Sequence, residues 1–269
     1  MKKRISVLLF LTLISCSFQE KKEKQESISI EKKQISIKEE KISKSKLISL
    51  VLTQLNLKQE KCKDEFISVK AMPNNKKLSI VVIPEINIED KEMGSFELHS
   101  YILIVNKKTG KIESKFYENS KTNEWTSDAL RLTNITIDTA PYIIGKDKRA
   151  FGIRVHYLGS SKPNPYESET ISLFIKNGNK LKRILNKYEI NGNFGEWDTN
   201  CAGNFTNFNS ILLISNTLTN NYYDINVKTK TTKINNFEDK NGECKSTDIK
   251  TIRNSKLIFN KNEYKENGL

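Results

Sequence analysis

The sequence predicts an all-β fold, and three observations support this prediction. Short runs of apolar or alternating residues, with the length and composition of strands, recur after about residue 62. Groups rich in Gly, Asn, Asp and Lys separate these runs, as turns require. Apolar residues at helical spacing are nearly absent beyond residue 60. We therefore expect antiparallel hairpins in a propeller-like or sandwich architecture, preceded by a short helix.

Residues 1–15 have the layout of a secretory signal peptide. Lys2, Lys3 and Arg4 are followed by an apolar run from Val7 to Ile14. This run is much shorter than the ~20 residues that span a bilayer. A short basic region before such a run is typical of an export signal rather than a membrane helix.

The end of this segment, Leu13-Ile14-Ser15-Cys16, resembles the lipobox of bacterial lipoproteins. The resemblance implies that residues 1–15 are removed and that Cys16 receives a diacylglyceryl thioether and an amide-linked acyl chain such as palmitate. Several acyl chains together form a stable membrane anchor. Because Ser17 and not aspartate follows the cysteine, the resemblance implies the outer membrane if the cell has two membranes. The alternative is an ordinary signal peptide with an unrelated cysteine.

Residues 16–46 form the lipidated N-terminus and a tether dense in Lys and Glu, which cannot bury a hydrophobic core. The whole chain has a net charge of +13. The lysines are scattered among glutamates, however, and arginine, the usual residue for bidentate phosphate contacts, is rare. The charge therefore does not indicate a nucleic-acid partner.

Residues 47–61 begin with apolar positions at helical spacing, namely Leu47, Leu50, Val51 and Leu55. We expect a helix that docks on the following domain. A protein-binding helix and a short strand are the alternatives.

Residues 62–269 form the predicted β domain. Three segments each combine an apolar strand, a polar turn and a second strand, which is the pattern of a hairpin. They are residues 101–112, 172–184 and 222–234. Repeated hairpins are typical of propeller blades, but their irregular spacing leaves a sandwich equally open.

The mature chain contains three cysteines besides Cys16. An exported protein is in a compartment where disulfides persist. Cys201 and Cys244 both lie in Gly/Asn-rich loops and are the preferred pair, while Cys62 with either one is the alternative. No CxxC spacing occurs, and only His99 and His156 could assist, so we expect neither a metal site nor a cofactor.

One predicted strand, Phe151–Tyr157, places Arg154 and His156 on the same face. Such a pair could bind an anion or orient a carboxylate. The alternative is an ordinary solvated sheet face.

Two loop-like segments contain both tryptophans of the chain beside acidic residues: Glu124–Asp128 and Gly195–Cys201. An aromatic ring that stacks on a sugar, surrounded by polar groups, is a common carbohydrate-binding composition. Trp125, Asp128, Trp197 and Asp198 are therefore ligand-binding candidates. The alternative is structural, with each tryptophan covering a core and each aspartate capping a turn.

The chain lacks the common catalytic signatures, including the nucleophile elbow, the HExxH motif and the phosphate-binding glycine loop. We therefore expect a non-catalytic binding or structural protein anchored in the cell envelope, whose partner is a glycan or another envelope protein. The alternatives are a glycan hydrolase that uses Asp128, Glu196 or Asp198, and an immunity or inhibitor lipoprotein.

Overall fold

The computed structural model describes residues 42–267. The predicted signal peptide, Cys16 and the tether up to residue 41 lie outside the described residues. The prediction of an all-β fold with a short preceding helix is confirmed. The strands are β1 Ser68–Ala71, β2 Leu78–Asp90, β3 Ser95–Asn106, β4 Ile112–Glu118, β5 Thr126–Ser127, β6 Leu130–Asp138, β7 Ile143–Gly145, β8 Lys148–Arg149, β9 Phe151–Gly159, β10 Tyr166–Asn177, β11 Lys180–Trp197, β12 Gly203–Thr219, β13 Tyr222–Glu238, β14 Cys244–Asn260 and β15 Glu263–Glu266.

Helix α1 spans Lys44–Leu55, so it begins and ends earlier than the predicted range of 47–61. It begins there because the Ser43 side chain caps it by accepting a hydrogen bond from the Lys46 N–H. It ends at Asn56, which adopts a left-handed conformation with φ of 56°. Two short 3₁₀ turns, Gln59–Lys61 and Asp64–Phe66, then lead to β1.

Thirteen strands form one large sheet. Its main path runs β1-β2-β3-β4-β11-β12-β13-β14-β15, and β10, β9 and β6 branch from β11 in that order. The pairings are antiparallel except for a single parallel contact of β4 with β11 at Lys115 and Lys180. The hairpin β7–β8 forms a separate two-stranded sheet, and β5 pairs only with β3. Strands that continue one sheet do not form separate blades, so the described residues form no propeller.

Three hydrophobic clusters stack the elements in layers. The first cluster lies between β2–β3 and the inner face of β6, β9 and β10. The second lies between the opposite face of β10–β11 and β7, β13, β14 and β15. In the third, Leu47, Val51 and Leu52 of α1 pack on the outer face of β2–β3. The helix thus docks on the sheet.

Two of the three predicted hairpins form. Residues 101–112 belong to β3–β4, with Gly110 at φ of 71°, and residues 172–184 belong to β10–β11, with Gly178 at φ of 61°. The third prediction is wrong, because residues 222–234 lie within the single strand β13. That segment has no glycine to supply a tight turn, and its threonines favour an extended strand.

Beyond the second cluster, the long strands β12, β13 and β14 form a ribbon, and the 191–197 end of β11 pairs with its β12 edge. Strand β14 is exposed from Cys244 to Asn254, and Ile249 there is 66% exposed. A disulfide joins Cys201 in the β11–β12 loop to Cys244 at the start of β14, with 5.6 Å between their Cα atoms. This pairing confirms the prediction, and it fastens the far end of the ribbon.

Candidate functional site

A cavity of about 370 Å³ lies beside the first cluster, between β3–β4 and the inner face of β9, β10 and β11. Its volume is within the ~300–1,000 Å³ range of small-molecule sites. Its lining combines aromatic rings, hydroxyl groups and charged side chains. Its polar and aromatic lining residues include Glu118, Glu124, Trp125, Asp128, Tyr157, Tyr166, Ser168, Thr170, Ser172, Arg183, Lys187 and Glu189.

Strand β10 presents a row of hydroxyl groups to this cavity. Tyr166, Ser168, Thr170 and Ser172 alternate along the strand and therefore share its inner face. The Ser172 hydroxyl accepts a hydrogen bond of 2.9 Å from the Lys187 N–H. The side-chain hydroxyls of Tyr166, Ser168 and Thr170 have no hydrogen-bond partner within residues 42–267, although Ser168 is only 5% exposed. These hydroxyls remain accessible from the cavity, so this wall has hydrogen-bonding capacity that water or a ligand can use.

Strand β11 is strongly bulged where it lines the cavity. Residues 169–174 of β10 pair with residues 183–191 of β11, so six residues face nine across three register shifts. Lys187 adopts φ of 43° at one of these irregularities. Bulges re-aim side chains and are common beside functional sites. Here the bulged segment supplies Arg183, Lys187 and Glu189 to the cavity.

Some charged groups of the cavity form ion pairs and others do not. Arg183 forms an ion pair with Glu118, and the Lys187 ammonium lies 2.7 Å from a carboxylate oxygen of Glu124. Glu189 has no ion pair or side-chain hydrogen bond among the described residues. Glu189 is exposed to solvent, and partial burial by its neighbours raises the pKa of its carboxyl group. Glu189 is therefore the carboxylate with the most capacity left for a ligand.

Trp125 forms part of the opposite wall and is 5% exposed. The preceding helical turn α2, Ser120–Asn123, holds it, because the Trp125 N–H donates to the Asn123 side chain over 2.7 Å. The Asn123 amide in turn donates to the Leu98 carbonyl over 2.9 Å. The Tyr157 hydroxyl donates to the Glu124 carbonyl. Trp125 and Tyr157 are thereby rigid walls of the cavity.

Of the residues that the sequence singled out, Trp125 and Asp128 line this cavity. Asp128 accepts a hydrogen bond of 3.0 Å from the Leu130 N–H, so one of its oxygens caps a turn. Trp197 and Asp198 lie elsewhere. Trp197 lines a separate depression beside the disulfide and the loop of Ser161–Pro165, and it shares a shallower one with Asp198. The structure does not bring the two tryptophan segments into one cavity.

Asp198 occupies a turn. Hydrogen bonds from backbone N–H groups lower the pKa of this exposed carboxyl group, and the bond from the Asn200 N–H has the largest effect. A carboxylate stabilised in its charged form in this way is a poor general acid.

Arg154 and His156 lie on the other face of β9, away from the cavity. The Arg154 guanidinium contacts Asp138 at 2.7 Å and Glu169 at 3.1 Å. His156 Nε2 lies 2.8 Å from a Glu167 oxygen. Both side chains are thus engaged by carboxylates of β6 and β10, which leaves little capacity for an anionic ligand.

The hydroxyl row and Glu189 were not anticipated from the sequence. A usable signal is the alternation Tyr166-x-Ser168-x-Thr170-x-Ser172, which places hydroxyls where a core strand carries apolar residues. Within residues 42–267, no group of three or more His, Cys, Asp and Glu side chains is arranged to hold a metal ion. The same part of the chain contains no helix that is long and apolar enough to cross a membrane.

The fold and the cavity define a class: an all-β protein with a partly open pocket lined by aromatic rings and hydroxyl groups. No known protein family, curated protein or solved structure matches the chain. The cavity's own chemistry is therefore the basis for a functional assignment.

Proposed function

We propose that this protein is a lipid-anchored cell-envelope protein whose β domain binds a small hydroxyl-bearing, glycan-type ligand in the cavity without converting it. The observation that carries the proposal is a set of polar groups in one cavity that have no side-chain partner among the described residues, namely Tyr166, Ser168, Thr170 and Glu189. A sugar offers hydroxyls that both donate and accept hydrogen bonds, and its ring packs on aromatic side chains. The partly exposed rings of Tyr157 and Tyr166 supply such aromatic surface, and Trp125, which is mostly buried in the first cluster, contributes the small part that lines the cavity.

We favour binding over hydrolysis because the three catalytic candidates of the sequence do not share one cavity and two of the cavity's other carboxylates, Glu118 and Glu124, are held in ion pairs. Asp128 lines the cavity, whereas Glu196 and Asp198 line a different depression. A glycosidase needs two carboxyl groups on opposite sides of one bond. The anchoring part of the proposal rests on the lipobox-like residues 13–16.

Trp125 provides a direct optical test of binding. In a full-length Trp197→Phe variant, Trp125 is the sole tryptophan, so its emission reports on the cavity. We expect a saturable emission change on titration with neutral and amino disaccharides, and no product by mass spectrometry. No saturable change with any disaccharide would contradict the proposal, and product formation would assign the protein to the hydrolases.

Removal of one wall hydroxyl provides the matched control. Thr170→Val deletes a hydroxyl of the cavity at constant shape, and we expect about fivefold to tenfold weaker binding, the value of one net hydrogen bond. Thr232→Val makes the same change on the ribbon strand β13 and should leave the affinity unchanged. Equal effects of the two variants would place the ligand elsewhere.

The anchor has a separate test. Cys16→Ala should abolish incorporation of labelled palmitate and release the protein from the membrane fraction. Unchanged labelling and membrane association would exclude Cys16 as the lipidated residue, without bearing on the cavity.

A further inference from the structure

The cavity has a charge opposite to that of the protein that surrounds it. The chain as a whole has a net charge of +13. Yet the cavity is lined by four carboxylates, Glu118, Glu124, Asp128 and Glu189, and by two cations, Arg183 and Lys187. Each of these cations is already paired with a carboxylate. The pairs leave two negative charges uncompensated, in a molecule otherwise rich in lysine.

The two carboxylates outside these ion pairs, Asp128 and Glu189, differ in how many hydrogen bonds they already accept. Asp128 already accepts a hydrogen bond from the Leu130 N–H, whereas Glu189 has no donor among residues 42–267. Thr170 lies directly opposite Glu189 in the β10–β11 register. Ser168 is 95% buried and lies one alternate position further along the same wall. Neither hydroxyl has a hydrogen-bond partner in the part of the chain that the structure describes. Glu189 is exposed and Thr170 is partly exposed, so water can satisfy these groups in the unliganded protein. A ligand with its own donors and acceptors can replace that water.

The aromatic walls favour the same kind of ligand. Trp125, Tyr157 and Tyr166 line the cavity together with Glu189. The faces of aromatic rings attract cations, and an ammonium group is bound well where rings and a carboxylate converge. An anionic ligand would meet the excess negative charge and find Arg183 and Lys187 already engaged.

We infer that the ligand of this cavity carries a protonated amine that the Glu189 carboxylate binds, with the hydroxyls of β10 holding the neutral part. The inference rests on the proposed function, and it specifies the chemistry of the ligand. An ammonium group beside hydroxyls occurs in an amino sugar, and an ammonium group without them occurs in a lysine side chain. The common element is the charged amine, and the experiment distinguishes the two sources.

The experiment is calorimetric titration of the full-length protein with four probes. The probes are a disaccharide of glucosamine, its N-acetylated counterpart, a disaccharide of glucose, and lysine amide. We expect the glucosamine disaccharide to bind at least about tenfold more tightly than either neutral disaccharide, as a charge-assisted hydrogen bond requires. Lysine amide, which lacks the ring hydroxyls, should bind more weakly than the glucosamine disaccharide.

Two variants locate the charge that is responsible. Glu189→Gln keeps the size of the side chain and removes its charge, so the preference for the glucosamine disaccharide should fall to within about twofold of its neutral counterpart. Glu92→Gln changes an exposed carboxylate in the β2–β3 turn and should preserve the preference. Thermal melting of both variants close to that of the wild type establishes that the fold is intact.

The outcomes separate the inference from the proposed function. If neutral disaccharides bind as tightly as the amine, or if Glu189→Gln keeps the preference, the inference is overturned and the proposed function stands. If lysine amide binds and no disaccharide does, the amine inference stands and the glycan assignment is overturned. If no probe binds, both are overturned.

Discussion

At the scale of single residues, Asp138 organises the charged outer face of β9. It is 12% exposed and receives hydrogen bonds from the Arg154 guanidinium and the Tyr142 hydroxyl. Burial by itself raises the pKa of this carboxyl group. Hydrogen bonds from the Ala140 N–H and from Arg154 outweigh burial, so the net pKa of Asp138 is lower than its usual value.

Asp138→Asn should therefore destabilise the protein at neutral pH by about 2 kcal/mol, because it leaves the partly buried Arg154 with only one carboxylate. A carboxyl group with a lowered folded pKa stabilises the fold above its unfolded pKa, and this stabilisation is lost as the pH falls through the folded pKa. Urea unfolding from pH 7 down to pH 3 should thus show a shallower pH dependence in the variant. The control is Asp147→Asn in the exposed β7–β8 turn, and equal pH profiles for Asp138→Asn and the wild type would contradict the account.

Burial lowers the reactivity of the Cys62 thiol. It lies outside the disulfide and is buried, and burial, aided by Asp64, raises the pKa of its thiol to about 11. The thiolate is the reactive form, so at pH 8 iodoacetamide should label Cys62 only after unfolding. Peptide mapping by mass spectrometry measures this, and rapid labelling of the folded protein would contradict the burial.

Residue alternation is predictable from sequence, but partners across strands are not. The sequence places Arg154 and His156 on one face of β9, and the structure has them there. Their partners Glu169 and Glu167 come from β10, and no local pattern specifies that register. The position of Glu189 is not predictable from sequence for the same reason. It depends on three register shifts between β10 and β11, which are set by tertiary packing.

At the scale of elements, the contact between α1 and the β3–β4 turn shows how the helix is fixed to the sheet. The Gln54 amide donates to the Gly110 carbonyl over 2.7 Å, and its oxygen accepts from the Ile112 N–H over 3.0 Å. Gly110 lies so close to the helix that an added Cβ would be 2.7 Å from a methyl group of Leu50. Glycine is thus needed for both its positive φ and its small size.

Gly110→Ala tests this docking against a matched glycine. Gly94 has nearly the same φ, 69° against 71°, but an added Cβ there meets nothing within 4 Å. Gly94→Ala should cost only the left-handed backbone strain of about 1 kcal/mol, and Gly110→Ala about 2 kcal/mol more because it also displaces α1. Urea unfolding of both variants measures the difference, and equal losses would show that the helix is not closely packed on this turn.

Hairpin prediction succeeded where glycine marks the turn and failed where it does not. Gly110 and Gly178 end strands that the sequence already outlines. In β13, by contrast, Lys and Thr residues resembled a turn in composition, yet pairing with strands on both sides keeps them extended. Pairing with β12 and β14, and not the local sequence, therefore determines that residues 222–234 form a strand.

At the scale of the whole molecule, the clusters and the ribbon differ in how they are stabilised. The stacked layers bury continuous apolar surface, whereas the outer part of β14 is exposed on both faces, and the outer parts of β12 and β13 contain no buried residue. The disulfide supplies a constraint there in place of a core. All-β class, helix and disulfide pairing were predictable from local patterns, but the branched sheet and its cavity were not, because they depend on long-range pairing.

Replacing both Cys201 and Cys244 by serine should lower the free energy of unfolding by at most about 4 kcal/mol, the chain-entropy value for a 43-residue separation. The loss should be concentrated in the ribbon, so hydrogen exchange should accelerate in the outer halves of β12–β14 more than in β2–β3. Uniform acceleration throughout the sheet would contradict a local role of the disulfide.

The central claim is that the cavity between Trp125 and Glu189 is a binding site for a hydroxylated amine. The most direct measurement is a diffraction structure of the full-length protein with the glucosamine disaccharide. The account predicts ligand density in the cavity, with the amine beside the Glu189 carboxylate and a sugar ring near Trp125. Density for water alone in the cavity, or a ligand seated only beside Trp197, would contradict it.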